Sequence, residues 1–177
     1  WLRPTTKPLL SSVLSSEPSF TCTSSCAKLL LDQTVTKAEI LNPKVQPSGF
    51  GVTAASDWTI ADRLEPSAKI VARAKGFHMQ TGITNTSWYT SFNMVFEDER
   101  FSGSTLQVMG LTPSDGQWAI SGGTGEFALA HGIIKQKVVQ GNADENVKEL
   151  HVHAFYTKMN TSVVPGATDG KSWTLGA

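Results

Sequence analysis

The sequence predicts an all-β protein that folds as an eight-stranded antiparallel β-barrel. Fifteen glycines and eight prolines divide the 177 residues into short segments. Within these segments, apolar and polar residues alternate with a period of two, which is typical of strands. Between them there is no amphipathic helical pattern of about ten residues or more, which a parallel α/β sheet would need. A barrel of this size has an interior large enough for one small ligand.

The clearest strand runs from Trp88 to Phe96. One of its faces carries Trp88, Phe92, Met94 and Phe96, and the other carries Tyr89, Ser91, Asn93 and Val95. Residues 98–100 then turn the chain, and alternation resumes around residues 105–110. This pair of segments predicts a β-hairpin.

The remaining strands follow the same pattern and complete the predicted barrel domain over residues 28–160. Residues 1–27 are rich in Ser, Thr and Pro and predict a flexible leader. Residues 161–177 have the composition of a linker or of the start of a following module. The other predicted strands are Lys28 to Ile40, Gly49 to Trp58, Lys69 to Gln80, Gln117 to Ser121, Phe127 to Val139, and Glu149 to Met159.

The composition of the chain argues against nucleic acid and anionic membranes as partners. Lys and Arg total 15 and Asp and Glu total 15, so no field of one sign favours nucleic acid or an anionic membrane. No run reaches the roughly 18 apolar residues of a membrane span. The two cysteines, Cys22 and Cys26, exclude a disulfide framework and favour free thiols. We expect a cytoplasmic protein, or an apoplastic one if a signal peptide precedes Trp1.

Two motifs suggest other chemistry and are disfavoured. Gly123–Ala128 fits a loose dinucleotide pattern, but that pattern needs a following helix, and strand periodicity resumes at Phe127. A tight glycine turn between two strands fits better. His151 and His153 share a strand face and could share a metal, yet no third ligand can be placed. We therefore expect neither a metal nor a cofactor.

Several segments, in order, resemble the plant dirigent family. Ala68–Phe77 is similar to its Ser-Lys-Leu-Val-Gly-Arg-Ala-Gln-Gly segment, Phe101–Val108 to its aromatic-x-Gly-Ser-Thr-Leu strand, and Ile120–Phe127 to its Val-Gly-Gly-Thr-Gly-x-Phe turn. The resemblance covers roughly residues 28–158. It implies a barrel similar in shape to allene oxide cyclases and lipocalins, commonly trimeric, whose lumen binds phenolic or radical intermediates. Family members steer the coupling of radicals, as in lignan formation, that a separate oxidase such as a laccase or peroxidase generates, and some cyclise quinone methides.

The resemblance also implies site residues. Asp57 is the acid that matches the family's paired acids before a Pro, and His131 takes the place of an arginine after the glycine turn. We expect these two to act as general acid or base, with affinity for a phenolic ligand that depends on pH through the imidazole. Phe92, Phe127 and Tyr89 are expected to contact the ligand.

Finer similarities point to a subgroup. Leu106–Leu111, Trp118–Ala130 and Gly170–Ala177 resemble grass proteins in which a dirigent domain precedes a jacalin-type lectin, associated with defence and stress. Three hypotheses follow: a non-redox binding domain that steers phenolic coupling, an isomerase or cyclase using acid-base catalysis, and a protein-interaction module. In each case we expect a homo-oligomer, a dimer or trimer.

Overall fold

The computed structural model describes residues 22–33, 37–43, 49–65, 67–141 and 146–157. The described residues form nine strands and one short 3₁₀ helix. Their bounds are β1 Cys22–Asp32, β2 Lys37–Leu41, β3 Thr53–Ala61, β4 Ile70–Gln80, β5 Trp88–Phe96, β6 Thr105–Leu111, β7 Asp115–Thr124, the 3₁₀ helix Gly125–Phe127, β8 His131–Gly141 and β9 Asn146–Thr157.

The strands form one antiparallel sheet that closes on itself. Each strand from β2 to β8 pairs with the next along the chain, β9 pairs with β1, and β1 pairs with β3. Because β1 and β2 occupy consecutive stretches of the same edge of β3, they take one place in the barrel. The predicted eight-stranded antiparallel barrel is therefore confirmed.

The first strand differs from its prediction in two ways. β1 begins at Cys22, six residues before the predicted start of the domain, and it pairs with β9 from Cys22↔Thr157 onward. The Ser- and Thr-rich segment has no apolar alternation, so only pairing across the sheet defines it as a strand. The predicted single strand from Lys28 to Ile40 is in fact split into β1 and β2. Residues 1–21 and 158–177 lie outside the described residues.

Alternation places the core inside the barrel. On β5 the side chains of Thr90, Phe92 and Met94 are buried, as the predicted face requires, and β5 pairs with β6 as the predicted hairpin. Apolar side chains from every strand except the short β2 join them in one cluster. Its largest members that are almost fully buried are Leu31, Ile60, Met94, Leu106, Trp118, Ile134 and Leu150.

One end of the barrel is filled by aromatic rings, and we call it the packed end. Phe127 lies at the centre of this group, with its ring centroid 4.9 Å from those of Phe96 and Phe101 and 5.0 Å from that of Tyr156. Tilted and edge-on arrangements of this kind are favourable beyond the area they bury. The rings close this end of the barrel.

The turn before β8 corrects one prediction. Residues 127–130 do not continue a strand, because Gly125 and Leu129 both have positive φ, +64° and +63°, and the chain turns through the 3₁₀ helix before β8 begins at His131. The chain does turn between β7 and β8, but of the glycines at 122, 123 and 125 only Gly125 belongs to the turn, because Gly122 and Gly123 lie in β7 and pair with β6. A three-residue 3₁₀ helix does not supply the helix N-terminus that a dinucleotide site needs.

Candidate functional site

A cavity of about 650 Å³ lies at the opposite end of the barrel, which we call the cavity end. A volume of this size suits a small organic ligand. Residues from β2, β3, β4, β5, β8 and β9 and from the connections between strands line it. They are Gln33, Glu39, Val52, Ala54, Trp58, His78, Thr86, Trp88, Thr90, Thr112, Pro113, Ser114, Val138, Asn146 and Lys148.

Three rings form an aromatic wall: Trp58 on β3, His78 on β4 and Trp88 on β5. The His78 ring centroid lies 5.4 Å from that of Trp58 and 5.1 Å from that of Trp88. Trp58 is 2% exposed, and among the described residues its buried Nε1 has no hydrogen-bond acceptor. A buried N–H without an acceptor is costly, and an oxygen brought within reach of it would lower that cost.

The aromatic wall stands on buried rings deeper in the barrel. Phe92 makes edge contacts with Trp58, at 6.4 Å, and with Trp118, at 5.4 Å. Phe92 can sit there because its cross-strand partner is Gly76, where a Cβ atom would lie 2.5 Å from the Phe92 Cα. Glycine at this position therefore helps to set the depth of the cavity.

A hydrogen-bonded loop holds part of the cavity rim. The Gln80 side chain, 1% exposed, accepts hydrogen bonds from the backbone N–H groups of Gly82 and Ser87 and donates one to the carbonyl of Asn85. These bonds tie residues 81–87 to the end of β4. Thr86 is thereby placed at the cavity.

The facing wall is polar and carries Lys148 on β9. Lys148 is 2% exposed, and its Nζ donates to Gln136 Oε1 at 2.9 Å and to the Pro113 carbonyl at 3.3 Å. Gln136 Nε2 donates to the same carbonyl at 2.8 Å. Burial lowers the pKa of Lys148 from 10.5 to about 8. The cavity therefore holds a buried amine that titrates near neutrality.

The two predicted catalytic residues lie on the outside of the barrel, on strands β3 and β8, which do not pair with each other. Asp57 points outward on β3, 43% exposed, with its Oδ1 paired to Arg73 Nε at 2.6 Å. His131 is exposed at the packed end, where its ring stacks on that of Phe155 at 5.6 Å. Neither lines the cavity, so the site described here does not use them, and their catalytic role stays a prediction.

The three predicted ligand contacts are also separated. Phe92 is buried beneath the cavity, Phe127 belongs to the packed end, and Tyr89 alternates with buried Thr90 and so faces outward. Of the three, only Phe92 touches a cavity residue through a ring contact, that with Trp58. Their contact with a ligand stays a prediction.

Sequence reasoning missed Lys148 and His78, although strand phase could have found both. Lys148 shares a face of β9 with Leu150, Val152 and Ala154, all buried. A lysine in phase with an apolar strand face must either be paired or border a cavity, because lysine is almost never fully buried without a partner. His78 is in phase with buried Ala72 and Ala74 on β4 in the same way.

The described part of the chain contains no cluster of metal ligands: no three of its His, Cys, Asp or Glu side chains come together as a metal site would require. In the same ranges, no helix is long and apolar enough to cross a membrane. The cavity is the candidate functional site because it brings an aromatic wall and a buried lysine together.

A closed eight-stranded antiparallel barrel with a side-chain-lined cavity at one end places the chain among the small closed β-barrels. Within that class the comparison with known families is specific. A family model described as "Dirigent-like protein" matches residues 28–155. The chain belongs to the dirigent family.

Individual relatives agree with this assignment. Dirigent protein 11 of Arabidopsis thaliana is 29% identical over 126 residues, covering 70% of this chain and 65% of that protein. Pterocarpan synthase 1 of Glycyrrhiza echinata is 29% identical over 113 residues, 60% of each. The solved structure of a pterocarpan synthase dirigent protein superposes with a TM-score of 0.72 at 22% identity, covering 81% of this chain and 91% of that one.

These matches set the limits of the assignment. The chain spans 65% of the length of the first of these relatives and 60% of the second. The solved structure establishes the likeness of fold. The special closeness to grass lectin chimeras stays a prediction.

Proposed function

We propose that this domain binds an aromatic, phenolic intermediate in the cavity and directs its coupling or cyclisation, while a separate oxidase generates any radicals. The observation that carries the proposal is the aromatic wall with the buried Trp58 N–H. Stacking surfaces hold a flat ring, and the indole N–H can donate to an oxygen on it. Membership of the dirigent family supports the same function.

Steering needs shape more than reactive groups. An intermediate held in a chamber of about 650 Å³ can meet its coupling partner in few orientations, so one coupling geometry can dominate. The rings of Trp58 and Trp88 give the wall rigid surfaces against which an incoming ring would be oriented. The domain would thus bias the product rather than supply electrons.

A titration with coniferyl alcohol tests the binding proposal. Trp58 and Trp88 line the cavity, so binding should change tryptophan emission, and Trp58→Phe should weaken binding about fivefold because it removes one hydrogen bond of roughly 1 kcal/mol. Lys135→Gln, on the exposed face of β8, is the matched control and should bind as the unmodified domain does. No measurable binding would overturn the proposal and favour the interaction-module hypothesis.

A second candidate function is cyclisation by acid-base catalysis. In a quinone methide, attack by a neighbouring hydroxyl forms one C–O bond, the hydroxyl loses its proton, and the former carbonyl oxygen gains one. The two proton transfers cancel, so the reaction is an isomerisation without an oxidant. Glu39 and His78 line the cavity and are able to move protons, which favours this candidate. The pterocarpan synthases among the relatives suggest it as well.

Product analysis separates the two candidates. Chiral chromatography after incubation of coniferyl alcohol with laccase, with and without the domain, reports steering. Incubation of a chemically generated ortho-quinone methide bearing a pendant hydroxyl, without laccase, reports cyclisation. His78→Phe should abolish acceleration of the second reaction and leave the steering of the first.

Biological setting is part of the proposal and rests on resemblance alone. A place in plant defence or stress responses, next to a jacalin-type lectin, is suggested by Trp118–Ala130 and Gly170–Ala177. The complete reading frame of the source transcript tests it directly. A frame without a lectin segment would remove the chimera from the proposal and leave the cavity function untouched.

A further inference from the structure

Lys148 differs from every other charged residue that the structure describes. It is the one charged residue among the buried side chains of the described ranges, at 2% exposure. It projects inward from β9, where its register partners are Leu31 on β1 and Val138 on β8. A lysine in such a place needs compensation, because taking an ammonium group out of water is costly.

The groups that accept hydrogen bonds from the Lys148 ammonium are uncharged. Its hydrogen-bond acceptors are the Gln136 amide oxygen and the Pro113 carbonyl, and among the described carboxylates none forms an ion pair with it. The bond from Gln136 Nε2 to the Pro113 carbonyl fixes the amide so that its oxygen faces the amine. Two of the three ammonium hydrogens are thus used, at the surface of the cavity.

The neighbouring charges do not neutralise it. Glu39 on β2 and His78 on β4 are the other titratable groups lining the cavity, and the Glu39 carboxylate accepts a hydrogen bond from Asn42. The charged residues next to Lys148 and its partners on β1, β8 and β9 alternate with buried residues and face outward. They are Asp32, Lys137 and Glu149.

We propose that Lys148 is an anion anchor, which makes the cavity selective for aromatic ligands that carry an ionised oxygen, a phenolate or a carboxylate. The inference rests on the proposed function, since it assumes that the cavity binds an aromatic ligand. The anion supplies the counter-charge and accepts the third N–H bond of the ammonium. The aromatic wall opposite holds the ring.

An anion anchor of this kind couples ligand binding to the protonation of Lys148. Since burial lowers the pKa of Lys148 to about 8, the group is mainly an ammonium below that pH and mainly an amine above it. A bound anion favours the ammonium and raises the pKa again. Affinity for an anion should therefore fall as pH rises through about 8, and binding near pH 8.5 should take up a proton from solution.

Calorimetry with a matched pair of probes tests the anchor. The probes are 4-methoxycinnamate, ionised at every pH used, and its neutral methyl ester. At pH 7 the acid should bind at least about tenfold more tightly than the ester, as expected for a hydrogen bond to a charged group. Lys148→Met should remove this preference, and Lys137→Met, on the outward face of β8, should preserve it.

Two further readouts keep the test decisive. Titration at pH 8.5 in two buffers of different ionisation enthalpy should show proton uptake with the acid and none with the ester. With 4-nitrophenol, whose colour reports its ionisation, the bound phenol should ionise at lower pH than the free one, which separates a phenolate ligand from a carboxylate ligand. Both effects should vanish in Lys148→Met.

The outcomes distinguish the anchor from the binding function. If acid and ester bind equally well, or if Lys148→Met retains the preference, the anchor is wrong while the aromatic cavity stands. If neither probe binds to the unmodified domain and coniferyl alcohol does not bind either, the proposed function itself fails. Circular dichroism of Lys148→Met verifies that its barrel is folded.

Discussion

The two ends of the barrel use aromatic rings for opposite purposes. At the packed end, the rings of Phe96, Phe101 and Phe127 contact one another, and the Tyr156 ring contacts that of Phe127. At the cavity end, the rings of Trp58, His78 and Trp88 line one wall of a cavity of about 650 Å³. Polar groups line the wall that faces them. The same kind of side chain therefore fills one end and lines a cavity at the other. What differs is whether the opposite wall supplies rings or a buried charge.

We expect the packed end to contribute more than the cavity end to the free energy of unfolding. Phe127→Ala should lower the free energy of unfolding by roughly 3–5 kcal/mol, because it removes a buried ring with three aromatic neighbours. Trp88→Ala, at the cavity end, should cost less than half as much, since its half-buried ring borders the cavity. Urea unfolding of both variants measures the difference. Equal losses would show that the packed end contributes no more to stability than the cavity end.

The buried charge at the cavity end should give the domain an unusual pH dependence. Lys148 has a pKa of about 8 when folded and about 10.5 when unfolded, so between these values the unfolded chain binds more protons. Stability relative to Lys148→Met should therefore rise with pH across this window, by at most roughly 3 kcal/mol. Urea unfolding at several pH values from 7 to 10.5 measures it. Parallel profiles for the two proteins would show that Lys148 is not desolvated in the folded state.

The turn leading into the packed end should tolerate no side chain. Gly125 has φ +64°, and a Cβ there would lie 2.6 Å from Ser104 Oγ, the atom that accepts the Glu126 backbone N–H. Gly103 has φ +80° with open space around it, so Gly103→Ala measures backbone strain alone, about 1–2 kcal/mol. Gly125→Ala should cost roughly 1 kcal/mol more than that. Equal melting temperatures for the two variants would contradict the crowding.

We expect the outer surface of the barrel to contribute little to the packing of either end. Phe77, Met109 and Ile133, each 38% exposed, lie in one row across β4 to β8, linked in register through Ser91 and Ala119. We propose that this apolar row is where copies of the chain associate into a dimer or trimer.

Sedimentation should then show the unmodified domain as an oligomer at tens of micromolar concentration. Met109→Glu should shift it to monomer and change the free energy of unfolding of the monomer by only about 0.5 kcal/mol. Lys135→Glu, exposed on β8, controls for the added charge. A monomeric unmodified domain would remove the association from the proposal.

Sequence alternation was sufficient for the barrel but not for the site. The bounds of β5 and the hairpin with β6 follow from residues 88–110, because period-two burial is a local property. The break between β1 and β2 could not be read in this way, since it depends on which stretch of β3 each of the two strands pairs with. The cavity depends on how eight strands close and how rings such as Trp58 and Trp88 orient across them.

The site prediction also contained a conflict that strand geometry could have exposed. Asp57 and Trp58 are consecutive in β3, so they point to opposite sides of the sheet and cannot both face the lumen. The family resemblance directed attention to Asp57, while the indole beside it is the residue that lines the cavity. Lys148 was not predicted as a site residue, because it lies in no family motif. Its position on the same strand face as Leu150 does indicate that it is buried.

The edge of β3 that β1 and β2 share, which we call the seam, is where we expect the barrel to open most easily. β1 pairs with β9 along its whole length but with β3 only over Leu30–Asp32, and beyond that point β2 takes over the same edge. Gln33 and Glu39, on either side of this changeover, both line the cavity. Backbone amides along the seam should therefore exchange with deuterium sooner than those between β4 and β5. A ligand could enter through a transient parting of this edge, with the rest of the cylinder intact.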